Sequence, residues 1–223
     1  MKRIPILILA SAFACTSQDG KQVAVSQEAA ASAPAATDTA DPRLGKADLA
    51  RIQGAPTAKV WFVIVSDFQC PYCKQWHDSE GETLRREYVR TGKVRVAYVN
   101  YPLGQHGQAV PTAEAAMCAG IQDKFWEYHD ALFATQANWS ALRDATGLLD
   151  SLATTVGLNV PAHKQCRDQH VLLPLIVADR DRAQASGARS TPTFIVGGQA
   201  MSGVIPMSTL RPILDSAVAQ AAR

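Results

Sequence analysis

Apolar and polar positions change rhythm several times along this chain, and each rhythm predicts an element. Residues 16–44 contain no aromatic side chain and no sustained apolar period. The stretch AVSQEAAASAPAATDTADP is rich in Ala, Ser and Thr, and Pro34 and Pro42 interrupt any helix it begins. Residues 15–47 are therefore expected to form a disordered tether. KVWFVIVSDF, from Lys59 to Phe68, is apolar on both faces, which marks a buried strand. Pro71–Arg90 has helical spacing, with Cys73, His77, Leu84 and Tyr88 near one face and Gly92 as the stop. KVRVAYVNY, from Lys93 to Tyr101, alternates cleanly and predicts a second strand. Strand, helix, strand in that order is a βαβ unit, whose two strands pair in parallel.

A long helical block follows. VPTAEAAMCAGI, DKFWEYHDALFATQ, SALRDA, LLDSLATTVG and PAHKQCRDQHVLLPLIVADRDRAQASG all read as helix, punctuated by Gly120, Gly147, Gly157 and Gly187. TPTFIV and QAMSG then predict two short strands around Gly197-Gly198, a two-residue hairpin turn. Met207–Ala222 closes the chain as a helix. The expected class is α/β, a βαβ–ββα core interrupted by an all-helical insertion. Residues 48–107 and 188–223 would supply the core and residues 108–187 the inserted domain.

Composition adds limits. With 47% apolar residues the chain can build a real core. Without Lys2 and Arg3, the 22 basic residues fall to 20 and match the 20 acidic ones. A chain so balanced offers no basic patch, so no nucleic-acid partner is expected. Lys2 and Arg3 instead begin an export signal over residues 1–14. The apolar run Ile4–Phe13 is too short to span a bilayer, and Ala12-Phe13-Ala14 has the small-x-small form of a cleavage site. Cys15 follows at once. This start resembles a bacterial lipoprotein signal, which implies a lipid anchor on Cys15; simple cleavage is the alternative. Phe13 is bulkier, and Ala12 less usual, than that pattern has at those places. The five cysteines fit lipidation, since removing Cys15 leaves four for two pairs.

Candidate chemistry centres on SDFQCPYCKQWH, Ser66–His77. Its Cys70 and Cys73 could form a redox dithiol, half a zinc site or a small structural loop. A thiolate, not a thiol, attacks a disulfide. Cys70 falls where a strand ends and a helix begins, and the unpaired N–H groups there lower a thiol pKa. Cys73 lies one turn in, facing inward. These positions make Cys70 the attacking thiol and Cys73 the resolving one. Pro71 at the helix start costs little, because its missing N–H would be unpaired anyway. A structural zinc site needs four ligands, commonly two paired clusters, and there is one CxxC. His163, Cys166 and His170 have the spacing of a partial set without a fourth ligand, so no metal is expected. His77, His106 and His129 read as surface or helix-packing residues, with His106 close enough to the dithiol to modulate it. The FWEYHDALF aromatics read as core.

Four features together resemble one known family, the DsbA-like thiol–disulfide oxidoreductases of thioredoxin fold. They are SDFQCPYCKQWH after a buried strand, the insert with AAMCAGIQDKFWEYHDALFA, STPTFIVGGQ, and the closing helix. The resemblance implies a thioredoxin-like βαβ–ββα core with a helical insert, and disulfide exchange with exported proteins in the periplasm. It implies no bound cofactor, because the dithiol carries both electrons. A membrane partner would complete the cycle: a DsbB-like quinone-linked oxidase, or a DsbD-like reductant if the protein is a reductase or isomerase. It also implies that Pro192 is cis beside the dithiol, with Thr191 presenting backbone to an extended substrate and Pro71 and Tyr72 tuning the thiols. Some relatives carry a second disulfide in the insert, which makes Cys118–Cys166 the expected bridge; two separate buried thiols are the alternative. Two departures matter. Many relatives have a buried acid where this chain has Ile64, and Asp67 reads as a solvated strand-end residue. The strongly oxidising members have His between the cysteines, where this chain has Tyr72, so a milder poise is expected. No dimerisation segment is visible, and a monomer is expected. Outside this class, the same CxxC could hold copper as soft ligands, although no Met-rich or His-rich tract supports that.

Overall fold

The structure is a computed structural model and describes residues 41–223. The signal at 1–14, Cys15 and the tether as far as residue 40 lie outside the described residues. Five strands form one sheet in the order β1-β3-β2-β4-β5, with β1 at Ile52–Gln53, β2 at Val60–Ser66, β3 at Val94–Asn100, β4 at Thr193–Val196 and β5 at Gln199–Ser202. Strands β2 and β3 pair in parallel, Val60 opposite Val94 and Ser66 opposite Asn100. The other pairings are antiparallel. β2 is central, which explains its apolar run: Phe62, Ile64 and Val65 are all buried. The β4–β5 turn places Gly197 at φ 56° and Gly198 at φ 80°. Two successive positive φ angles are what a tight hairpin turn requires, and glycine adopts them without steric cost.

The helix after β2 starts at Pro71 and runs to Val89 in four joined pieces: α2 (Pro71–Trp76), a π-helical turn (His77–Gly81), α3 (Glu82–Leu84) and a second π-helical turn (Arg85–Val89). Its apolar face meets the sheet through Trp76, which packs between Phe62 and Phe194 with ring centroids 6.1 and 4.5 Å away. The Trp76 indole N–H donates to the Ile205 carbonyl at 2.9 Å. The inserted helices are α4 (Ala109–Gly120), α5 (Phe125–Ala134), α6 (Gln136–Trp139), α7 (Thr146–Thr155), α8 (Val160–Asp168) and α9 (Leu173–Ala185). Among the described residues they share the larger of two apolar clusters with the sheet, in which Phe68 and Tyr98 meet Phe125 and Phe133, while Ala183 of α9 joins Val65 and Tyr101 in the smaller one. The final helix, α10 (Met207–Ala221), covers the end of the sheet with Met207, Leu210 and Leu214.

Several expectations need correction. The tether does not extend to residue 47, because Pro42–Ala50 is a helix, α1, capped by the Asp41 carboxylate. Gly120 of α4 lets it approach: a Cβ there would stand 3.3 Å from the Ala50 methyl. Just beyond α1, buried Arg51 bonds Asp179 of α9, and the same carboxylate accepts from Asn100 N–H at 3.1 Å and from its side-chain amide at 2.9 Å. Packing and this buried pair hold a segment whose own composition is poor in helix signal. SALRDA is mostly turn and loop, with α6 ending at Trp139. The last predicted insert helix is two helices, broken where His170 adopts φ 49°. Short β1, which no alternation in the sequence marks, pairs with β3.

Cys118 of α4 and Cys166 of α8 are disulfide-bonded, with Cα atoms 5.9 Å apart. The partial zinc set is therefore not available: Cys166 is bridged, His163 Nε2 bonds the Ala115 carbonyl at 2.8 Å, and His170 Nδ1 meets Glu114 at 3.0 Å.

Candidate active site

Cys70 caps the helix that follows β2, with extended backbone at φ −70° and ψ 122°. The Asp67 carbonyl accepts its N–H at 3.1 Å, and its own carbonyl accepts from Lys74 N–H at 3.2 Å. This turn fixes the sulfur at the helix start. Both Cys70 and Cys73 are free thiols, and both are buried, at 3% and 2% exposure. Cys70 is thus less open than its helix-start position suggests. The Thr191 carbonyl, just ahead of β4, lies 3.5 Å from the Cys70 sulfur and covers it, and the Thr191-Pro192 peptide bond is cis. Tyr72, between the cysteines, is 61% exposed.

The two thiols are driven apart in acidity. Cys70 is lowered to about 6, first by the hydrogen bond that the Cys73 thiol donates to its sulfur. Burial opposes this, while the Thr191 hydroxyl and the backbone N–H groups of Cys73 and Tyr72 assist. Those N–H groups close no formal cap bond but lie near enough to favour negative charge. Among the described residues the buried Thr191 hydroxyl closes no hydrogen bond of normal geometry, and it is the Thr191 carbonyl that meets the Cys70 sulfur. Cys73 is pushed well above 9, chiefly by burial and then by the adjoining Cys70. The resulting pair holds one ready thiolate and one protonated thiol beside it, the state in which a dithiol leaves one sulfur free to attack.

Asp67 is not a solvated strand-end residue. Its side chain is fully buried, and it accepts from Gln69 N–H at 2.8 Å, from Leu103 N–H at 3.0 Å and from His106 Nδ1 at 2.7 Å. The carboxylate pins the loop after β3 to the active-site turn, and its partners are backbone and His106. His106 therefore reaches the site through Asp67. Spacing gave no sign of the supporting amides. Gln136 of α6 donates to the Phe68 carbonyl at 2.6 Å and the Cys70 carbonyl at 3.0 Å, so the insert directly braces the cysteine turn. Gln69 donates to the Ser140 carbonyl at 2.7 Å and accepts from Gln108 N–H at 2.6 Å. Behind Cys73, Ser66, Tyr98, Trp76, His77, His129 and Phe133 enclose a cavity of about 30 Å³. His129, expected at the surface or between helices, is buried; burial holds its ring down at about 4. In the dithiol, the cis Thr191-Pro192 and the insert's brace, the geometry brings together Cys70, Cys73, Pro71, Tyr72, Thr191 and Pro192. Cys118 and Cys166 stand apart from them, within the insert.

Comparison with known proteins places this arrangement. A family model described as Thioredoxin matches residues 46–216. This chain belongs to the thioredoxin family. Within it, a probable disulfide bond formation protein D of Bacillus cereus is 27% identical over 148 residues, covering 65% of this chain and 68% of that protein. Na(+)/H(+) antiporter NhaA 3 of Salinispora tropica is 33% identical over 175 residues, 78% of this chain, which spans only 26% of the antiporter's length. Among solved structures, oxidised BdbD of Bacillus subtilis superposes with a TM-score of 0.69 at 22% identity, covering 75% of this chain and 92% of BdbD. The alpha-DsbA1 of Wolbachia pipientis gives the same TM-score at 21% identity, over 77% of this chain and 92% of that one. The thioredoxin-like fold with a DsbA-like helical insert, expected from the sequence, is thereby shown.

Proposed function

We propose that this thioredoxin-family protein is a thiol–disulfide oxidoreductase that works outside the cytoplasm, acting mainly as an oxidase of exported proteins. The observation that carries this reading is the pair of free thiols at the start of the helix after β2, with the Thr191 carbonyl 3.5 Å from the Cys70 sulfur; their divided acidity supports it. In the oxidised enzyme, a substrate thiolate attacks the Cys70 sulfur and forms a mixed disulfide. The Cys70–Cys73 bond breaks, and Cys73 leaves with the electron pair and takes a proton. The substrate's second thiolate then attacks its own sulfur in the mixed disulfide, and Cys70 leaves as the stabilised thiolate. Two electrons have moved from substrate to enzyme, and no bound cofactor takes part. The Thr191 backbone beside Cys70 would pair with the extended substrate, and exposed Tyr72 would give it an apolar contact.

The reading extends to the cell. Residues 1–14 would direct export, and lipid on Cys15 would hold the enzyme at a membrane near a DsbB-like quinone-linked partner. Among the described residues no helix is long and apolar enough to cross a membrane. Mass spectrometry of the native N-terminus tests the lipid. The named disulfide bond formation relative supports an oxidase over a reductase or isomerase. A redox titration against glutathione tests the direction. The expected potential lies above the roughly −270 mV of thioredoxin and below the roughly −120 mV of the strongest oxidant of this kind. A thioredoxin-like value would remove the oxidase reading.

A further inference from the structure

Away from the two sulfurs, His77, His129 and Asp130 converge. Asp130 Oδ1 lies 3.0 Å from His77 Nε2 and 2.8 Å from His129 Nδ1. One donor atom from each residue lies within 4.8 Å of the other two, and among the described residues this is the only such trio. His77 belongs to the helix that carries the dithiol and opens its π-helical turn; His129 and Asp130 belong to α5 of the insert.

Two features beyond proximity point to a ligand. The first is the second nitrogen of His77: Nδ1 stands 2.9 Å from Asp78 Oδ1. A neutral ring can donate to only one of these two carboxylates, and donation to Asp78 leaves its Nε2 lone pair facing the Asp130 oxygen. Two acceptors at 3.0 Å repel unless a cation lies between them or the ring carries a second proton. A carboxylate on the far nitrogen is also the usual orienting partner of a metal-bound imidazole. The second feature is access. The Asp130 side chain is 43% exposed, and it lines a surface groove with Arg85, Trp126 and Glu127. On the inner side the His129 ring is held by Phe68, Tyr98, Trp126 and Phe133, with centroids 5.0–5.6 Å away.

We propose that His77, His129 and Asp130 form a three-ligand Zn2+ site, open to the groove at its fourth position. Two imidazoles and one carboxylate suit zinc, and three protein ligands with water in the fourth place are a common zinc arrangement. Bonds of about 2.0–2.2 Å in a tetrahedral site put ligand atoms roughly 3.3 Å apart, so the two contacts to Asp130, at 3.0 and 2.8 Å, need to open by about half an ångström or less, while the two imidazole nitrogens lie within 4.8 Å of each other. Arg85 competes, since its Nη1 also reaches Asp130 Oδ1, at 3.0 Å. The ion requires Arg85 to move to the other oxygen. Bound zinc would tie the dithiol helix to the insert. The site shares no ligand with Cys70 or Cys73, so it stands apart from the proposed redox function.

The test uses untagged full-length protein with Cys15→Ser and with Cys70 and Cys73 oxidised, so that thiolates cannot take up metal. Zn2+ is titrated in competition with a chromophoric chelator, and zinc-edge absorption reports the ligand atoms. The expected result is one Zn2+ per chain with nitrogen and oxygen neighbours only. His129→Phe and Asp130→Asn should each weaken binding by roughly tenfold or more, and Arg85→Gln should tighten it. Melting curves check that each variant folds; His77→Gln replaces any that does not. No uptake by the wild type, sulfur in the zinc shell, equal affinity in folded ligand variants, or unchanged affinity in Arg85→Gln would overturn the proposal.

Discussion

At the scale of the residue, the chemistry rests on one sulfur held at a helix start. Rates of iodoacetamide alkylation of the reduced protein should follow a titration with its midpoint near 6, assigned to Cys70. A midpoint near an ordinary thiol would show that the Cys73 hydrogen bond and the helix N–H groups do not hold the thiolate. The linkage has a definite sign. A folded-state pKa of about 6, below the 9.0 of a free thiol, stabilises the reduced protein fully above pH 9 and loses that contribution as pH falls through 6. Stability of the reduced wild type, measured against Cys70→Ser by urea unfolding, should therefore climb between pH 6 and 9 and stay level below 6. Asp67 provides a second residue-scale test. Asp67→Ala leaves Leu103 N–H and His106 without their acceptor, and should cost about 3 kcal/mol in urea unfolding. The cysteine pair itself was legible from its place after an apolar strand. The burial of Asp67 was not, because nothing in a strand-end Asp announces which distant loop will fold over it. Gln136 is the same case: one glutamine among several, distinguished only by the carbonyls that tertiary packing brings to it.

At the scale of the element, periodicity read well wherever an element buries one face or two. β2, β3, the helix at Pro71 and α10 all lie where their patterns put them. It failed where long-range contacts decide. Two-residue β1 is too short to show an alternation, and it exists because β3 has a free edge. α1 forms over a stretch with little apolar period, held by α4 and the Arg51–Asp179 pair. The insert is a set of short helices that rely on cross-links, and Cys118–Cys166 is the covalent one. Closing a loop of 48 residues restricts the unfolded chain, and loop-closure entropy puts the gain at about 4 kcal/mol. Replacing both cysteines by alanine should lower unfolding stability by that order while thiol exchange at Cys70 persists. Loss of exchange in a variant that remains folded would show that the bridge does more than lock the insert.

At the scale of the whole molecule, sheet and insert pack together through shared apolar clusters, and the active-site turn lies where they meet. The sheet supplies Cys70 at the end of β2 and Thr191-Pro192 at the start of β4. The insert supplies Gln136, which ties the cysteine turn to α6. Such a layout buries both cysteines, with exposed Tyr72 between them on the surface. The central claim is that this covered pair exchanges disulfides with unfolded proteins through Cys70. The most direct measurement incubates oxidised protein with a reduced, unfolded substrate and follows disulfide formation, beside Cys70→Ser and Cys73→Ser. The expected result is rapid oxidation by the wild type, none by Cys70→Ser, and a trapped mixed disulfide with Cys73→Ser when the substrate carries one activated thiol. Equal behaviour of the wild type and Cys70→Ser would contradict the account.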